Sequence, residues 1–274
     1  MNRDQALARL RRTIDRGGVI IGSGAGIGLS AKLAEAGGAD LIIIYNSGRY
    51  RMAGRGSLSG MMPYGDANAI VLEMAGEVLP VVKDTPVLAG ICGTDPFRIM
   101  DKYLDELADT GFTGVQNFPT VGLIDGNFRQ ALEETGMGFD LEIDMIRQAA
   151  GKGMLTAPYI FDVAQAEAMT AAGADVVVVH VGLTQSGSIG AQTALTMDES
   201  VAMVQRLSDA ARGVRDDIIV LFHGGPIAEP ADVTHVLSKT KGTHGFFGAS
   251  SVERLPTEIA ITDAMQRFKN ARSE

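Results

Sequence analysis

The sequence predicts a single (β/α)₈ barrel, an α/β fold spanning residues 1–274, with an extra helix at its N-terminal end. Three observations lead there. Eight short runs, most of them rich in β-branched residues, recur along the chain, helix-period segments separate them, and no linker, repeat or break in composition divides the whole. A barrel of this kind needs about 250 residues, and 46% hydrophobic against 21% charged residues is an ordinary balance for one core. The 34 glycines suit many tight strand-to-helix turns. An open doubly wound sheet is the alternative that strand counting alone leaves standing. The glycine-rich last strand and two long early loops favour closure.

Taken in order, Asn2 to Arg16 reads as the extra helix, with Leu7, Leu10 and Ile14 on one side. Strands follow at Val19–Gly22, Leu41–Tyr45, Val87–Cys92, Thr113–Asn117, Leu155–Tyr159, Val176–His180, Ile218–His223 and Gly245–Gly248. Leu41 to Ile44 and Val176 to Val179 are apolar without alternation, the pattern of parallel strands covered on both faces. Pro96 after Asp95 suits a first helical turn, with Phe97, Met100, Leu104 and Leu107 along one face. Asp162 and Asp198 suit helix N-caps. Gly37-Gly38 and Gly173 suit C-caps leading into the next strand.

The net charge of −9 speaks against a nucleic-acid or anionic-membrane binder, whose footprint is a basic face. A single cysteine, Cys92, excludes an internal disulfide and fits a reducing compartment. No secretory leader and no run of about 20 apolar residues is present, so the expected setting is the cytoplasm. The run Gly22 to Gly28 after the first strand invites comparison with dinucleotide-binding turns. Yet Ile27 or Leu29 stands where the last glycine belongs, and Asn46 follows the second strand in place of a ribose-binding acid. No Tyr-x-x-x-Lys pair occurs, so no nicotinamide cofactor is expected.

In a barrel, polar residues at the C-terminal strand ends are the functional candidates. Here they are Ser23, Asn46, Arg49, Asp95, Asn117, Tyr159, His180, His223 and Ser250. His180 and His223, ending neighbouring strands, suit a general acid/base pair or metal ligation; the alternative is that each merely bonds a loop backbone. Gly224, Gly225, Gly248, Ala249 and Ser250 offer backbone N–H groups to a phosphate or carboxylate. Asn46 to Asp66, with Arg49, Arg51 and Arg55 among glycines, reads as a mobile lid over an anion or as a subunit contact. Thr184 to Thr196 is a third glycine/serine loop able to close over a ligand beside His180. Asp95 is either an N-cap or the carboxylate for proton transfer or a divalent metal. Glu142 and Asp144 read as favouring the dipole of their helix.

Several strings together resemble one family: Gly38–Arg49, Ala53–Ser57, Pro63–Asn68, Ala89–Pro96, Val115–Gly122, His223–Pro226 and Gly245–Ser251. They are similar to the phosphoenolpyruvate hydrolase-like TIM-barrel family, also called the TIM-barrel signal transduction family, over nearly the whole chain. The resemblance implies a TIM barrel, a homo-oligomer and kinship with enzymes that act with Mg²⁺ on small phosphorylated or phosphono keto acids. On that footing His223, His180 and Asp95 are the expected catalytic residues, and Asp95 the expected Mg²⁺ ligand. The expected partner is a small anionic metabolite. The lysine-rich gating loop of those enzymes has no counterpart here, since no two lysines are adjacent. Two functions follow: a hydrolase or lyase of a small keto or phospho acid, or a ligand-sensing or assembly protein that keeps the barrel mouth without turnover.

Overall fold

The computed structural model describes residues 1–193 and 195–272; Ala194, inside the loop expected to close beside His180, lies outside the described residues. Nine parallel strands form one curled sheet: β1 Ile20–Gly24, β2 Leu41–Ile44, β3 Val87–Ile91, β4 Gly114–Asn117, β5 Leu155–Thr156, β6 Tyr159–Ile160, β7 Val176–His180, β8 Ile219–His223 and β9 Gly245–Gly248. Eleven α-helices accompany them among the described residues. They are α1 Arg3–Asp15, α2 Gly28–Ala36, α3 Asn46–Met52, α4 Ala67–Val78, α5 Met100–Thr110, α6 Gly126–Glu134, α7 Asp140–Gly151, α8 Val163–Ala171, α9 Met197–Val214, α10 Pro230–Lys239 and α11 Arg254–Lys269.

The sheet order runs β5-β4-β3-β2-β1-β9-β8-β7-β6, where eight strands were expected. The extra one comes from the fifth predicted run, which divides at Ala157-Pro158. Ala157 N–H still bonds Val115 O on the β4 side at 3.0 Å, and Pro158 O accepts from Val178 N–H on the β7 side at 2.8 Å. Proline lacks the N–H that a continuing ladder requires. The two ends of the sheet order are therefore neighbouring pieces of one segment, and the sheet curls back on itself.

Side chains alternate between two cores, as the pleat dictates. Ile42, Ile44, Val177, Val179, Val220 and Phe222 pack outward against the helices. Leu41, Ile43, Val176, Val178, Ile219, Leu221 and Phe247 point into the curl. Ala6 and Leu10 of α1 join this inner core. Arg3 bonds Asp175, just before β7, and Arg11 bonds Asp217, just before β8. These contacts set α1 against the N-terminal strand ends, opposite the histidines.

Two helix starts differ from expectation. α5 begins at Met100 rather than Pro96, because Asp95 accepts Phe97 N–H and caps a separate turn, leaving Phe97 94% exposed. α9 is capped by Thr196, which exchanges hydrogen bonds with Glu199; Asp198 lies in its first turn instead. Asp162 does cap α8, accepting Gln165 N–H.

Candidate functional site

Behind the C-terminal strand ends lies a small cavity of about 50 Å³. Of the sequence candidates, His180, His223, Tyr159, Ala249 and Ser250 meet on its wall. β7 and β8 are paired in register at their last residues, with His180 opposite His223, so both side chains leave the same face. The imidazole centroids lie 4.8 Å apart, and the Tyr159 ring sits 5.0 and 5.2 Å from them.

Each ring has one nitrogen committed to the backbone, and the two commitments are opposite in kind. His223 Nδ1 lies 2.5 Å from the carbonyl of Phe247, which only accepts, so Nδ1 carries the proton and Nε2 is left with its lone pair. His180 Nδ1 accepts from Gly182 N–H at 3.2 Å, so its proton resides on Nε2. Burial holds the His180 imidazole well below its usual range, with the neighbouring His223 adding to the effect. Burial likewise pushes His223 down to about 4; the Phe247 carbonyl works against this, and Arg51 works with it. At neutral pH one ring offers a base and the other a donor.

The segment after β2, expected as a mobile lid or a subunit contact, is folded back on itself. It starts as α3 and continues as a 3-10 turn over Ser57–Met61. The Asn46 amide donates to Gly60 O at 2.9 Å and accepts from Ser47 N–H at 2.8 Å, and the Ser47 hydroxyl donates to Ser57 O. This places Arg51 inside the protein. Its side chain is 0% exposed and pairs with Glu253, 1% exposed, through Nε at 2.9 Å and through Nη2. The other Glu253 oxygen accepts Gly26 N–H at 2.6 Å and the Ser30 hydroxyl. The glycine turn after β1 thus grips a carboxylate of the same chain.

Other expected site residues lie elsewhere. Arg49 pairs with Glu73 at 2.5 Å, 35% exposed and away from the cavity. Ser23 is buried in β1 and Asn46 is spent on its own loop. The Asn117 amide clamps the sheet closed, accepting Tyr159 N–H at 2.7 Å and donating to Glu142 at 2.6 Å. Gly224 and Gly225 sit in close approach to the Val181-Gly182 backbone. Gly225 N–H is taken by Gly182 O, and a Cβ on Gly224 would meet that oxygen at 2.0 Å. Gly248 packs against Val252 and Phe246. Asp95 accepts from Phe97 N–H and the Asn68 amide, each at 2.9 Å, with Arg98 Nε 3.7 Å away. Among the described residues no three His, Cys, Asp or Glu side chains come together as a metal ligand set. The residues present do not fit a Mg²⁺ ion held by Asp95.

Sequence reasoning missed two charged groups, Arg254 and Glu253. Arg254, 5% exposed at its side chain, reaches the cavity while holding Ser186 O and Glu258. It follows the last strand-end motif by three residues, which was the available signal. Glu253 lies two residues beyond the same motif and pairs with Arg51, which had been considered only as part of the segment after β2. A further carboxylate, Glu142, was assigned to a helix dipole but is wholly buried, accepting from Asn117, Thr120 and Val121 N–H. Burial raises it to about 7 against those three donors.

Residues 5–271 match the model of the family described as phosphoenolpyruvate hydrolase-like. The tomato (Solanum lycopersicum) proteins named ToMV susceptible protein tm-1(GCR26) and ToMV resistance protein Tm-1(GCR237) are each 60% identical to this chain over 268 residues. Those matches cover 98% of this chain and 36% of the tomato proteins, so the chain spans about a third of their length. Among solved structures, phosphoenolpyruvate phosphomutase from Streptomyces platensis subsp. rosaceus superposes with a TM-score of 0.63 at 18% identity, covering 97% of this chain and 88% of the other. A phosphonopyruvate hydrolase complex with oxalate and Mg++ superposes at 0.59 with 17% identity, covering 99% and 89%. At such identities the likeness is one of fold. No helix among the described residues is long and apolar enough to cross a membrane.

Proposed function

The chain belongs to the phosphoenolpyruvate hydrolase-like family, and from that premise we propose that it is a hydrolase or lyase cleaving a small anionic oxo acid or phospho acid in the cavity beside His180 and His223. We read the curled sheet as an eightfold barrel in which β5 and β6 are one strand, with α1 at its N-terminal end, the whole chain forming one domain. The observation that carries the functional reading is the pair of buried neutral imidazoles with opposite tautomers. His223 Nε2 takes a proton from water as the water oxygen bonds to the departing group. The electron pair of the broken bond stays on the oxo acid as an enolate, and the His180 Nε2–H hydrogen-bonds its oxygen. His223 then returns its proton to the enolate carbon. Donors fixed in a dry site before charge develops are the strongest source of rate in such chemistry. Ser250, Tyr159 and Arg254 hold the substrate's anionic end. The enzyme works as a homo-oligomer.

The test is a thermal-shift and calorimetry panel of phosphoenolpyruvate, phosphonopyruvate and oxaloacetate, with and without Mg²⁺, followed by product analysis on every compound that binds. At least one should bind and be cleaved, and His223→Ala should retain binding within a few-fold while losing roughly 100-fold or more in turnover. Full turnover by His223→Ala on that substrate would overturn the assignment. A second reading, a protein that senses a small anion without cleaving it, draws support from the amides of Asn46 and Asn117, spent on structure at the ends of β2 and β4. Binding without product in the same panel would select it.

A further inference from the structure

Tyr45 stands on the cavity wall and has no part in the chemistry proposed above. It follows β2 directly, is 4% exposed, and stacks on Phe118 with ring centroids 5.0 Å apart. Its neighbours on both sides leave room for it and little more. A Cβ on Gly90 in β3 would lie 2.4 Å from the Tyr45 Cβ, and one on Gly24 in β1 would lie 3.0 Å from the hydroxyl. Two glycines on flanking strands therefore fix where this phenol sits.

Behind the hydroxyl is Arg51. Its Nη1 lies 3.5 Å from Tyr45 Oη, and Cζ is 5.8 Å from the ring centroid. Glu253 occupies the other edge of the guanidinium, at Nε and Nη2, so the edge left over is the one facing the phenol. A guanidinium has donors and no acceptor. The phenol oxygen can only accept from that side, and its own proton must point elsewhere. The flank toward Gly24 is closed by backbone, which leaves the side shared by Tyr159 and the cavity, where the two phenols neighbour one another. The ion pair also needs a reason to be there. Burying a charged pair generally costs more in lost hydration than the attraction returns, so stability does not account for Arg51 beneath the mouth. Its positive field reaches the cavity, where it helps depress the His223 imidazole.

We propose that the Tyr45 hydroxyl, polarised by Arg51, donates a hydrogen bond to a negatively charged oxygen of the ligand bound in this cavity. Tyr45 touches the ligand; Arg51 acts through it as a positioning residue. The proposal rests on the reading of this cavity as an anion site.

Oxalate, a planar dianion with oxygens side by side, is the probe. Its affinity for the full chain is measured by calorimetry for wild type, Tyr45→Phe, Arg51→Met and the double variant, together with melting temperatures. A hydrogen bond to a charged group is worth roughly a 10- to 100-fold change in affinity. Tyr45→Phe should lose that much while melting close to wild type, and Arg51→Met should lose a comparable amount. The double variant should lose no more than either alone, because the two act as one unit. Oxalate should also red-shift the tyrosine absorption of wild type and leave that of Tyr45→Phe unmoved, a signature that a purely structural ring would not give. If Arg51→Met does not fold, the Tyr45→Phe affinity and spectrum decide alone. Unchanged oxalate affinity in Tyr45→Phe overturns the proposal, and where wild type binds another anion of the panel in place of oxalate, unchanged affinity of Tyr45→Phe for that anion overturns it in the same way. A wild type that binds no anion at all overturns the reading of the cavity itself.

Discussion

His180 and His223 stay neutral at pH 7 because burial removes the water that would solvate a second proton. The cost appears as a pH dependence of stability. An unfolded histidine takes up a proton near its ordinary 6.5, and folded His223 does so at about 4. Between those values the unfolded chain binds more protons, so the fold loses stability as pH falls through the window, by on the order of 3 kcal/mol. Glu142, raised to about 7, works in the opposite sense, adding stability at low pH that is lost as pH rises through its folded value. The two are separated by difference. In urea unfolding, His223→Gln should gain on wild type by on the order of 3 kcal/mol from pH about 7 to pH about 4. An equal pH slope in both proteins would contradict this. The arginines mark how far single residues could be read in advance. Arg49 stood out in the sequence as a mouth cation, but a helix turn carries it out to Glu73; Arg49→Ala should leave anion affinity unchanged, whereas Arg254→Ala should weaken it about tenfold or more. Charge and position along the chain were legible. Which side of α3 each arginine occupies was not, because the Asn46 and Ser47 hydrogen bonds that turn the segment back depend on residues ten or more positions on.

Helices and strands were the most legible level. Continuous apolar runs marked the strands, because both faces of each are covered, and Gly38 and Gly173 closed helices where expected, with φ of +93° and +103°. The break at Ala157-Pro158 was hidden, since Leu155 to Tyr159 reads as one run until its neighbours on each side are known. α11 is the least accounted-for element. Beyond Leu255 none of its residues is buried, and Ile259, Ile261, Met265 and Phe268 are each 60% exposed or more. The same chain carries an apolar groove over the outer faces of β1 and β9, with Val19, Ile21, Val233, Leu237 and Phe246 in its walls. Were α11 of one copy to seat in this groove on a second copy, the contact would be reciprocal across a twofold axis. Light scattering should therefore find wild type as a dimer or larger, and Ile259→Glu with Phe268→Glu as a monomer that still melts cooperatively. A monomeric wild type at micromolar concentration would count against this pairing.

For the molecule as a whole, closure of the sheet and completion of the mouth depend on few groups. Asn117 spans the seam between β4 and β6 and also satisfies Glu142. Asn117→Ala would remove one of three donors to the buried Glu142 and leave Tyr159 N–H without its acceptor, and should cost about 2–4 kcal/mol in urea unfolding, more than an average core polar truncation. A loss near zero would show that the seam is held by other contacts. The Arg51–Glu253 strut has a consequence in time. Its two residues are 202 positions apart, so a ribosome extends the chain for on the order of 10–40 s between delivering one and the other. Throughout that interval the guanidinium has no carboxylate to meet it and must remain hydrated, which keeps α3 from settling into its place. Nascent chains arrested just short of residue 253 should therefore be clipped by protease within Asn46–Met61, and released full-length chains should resist at the same sites.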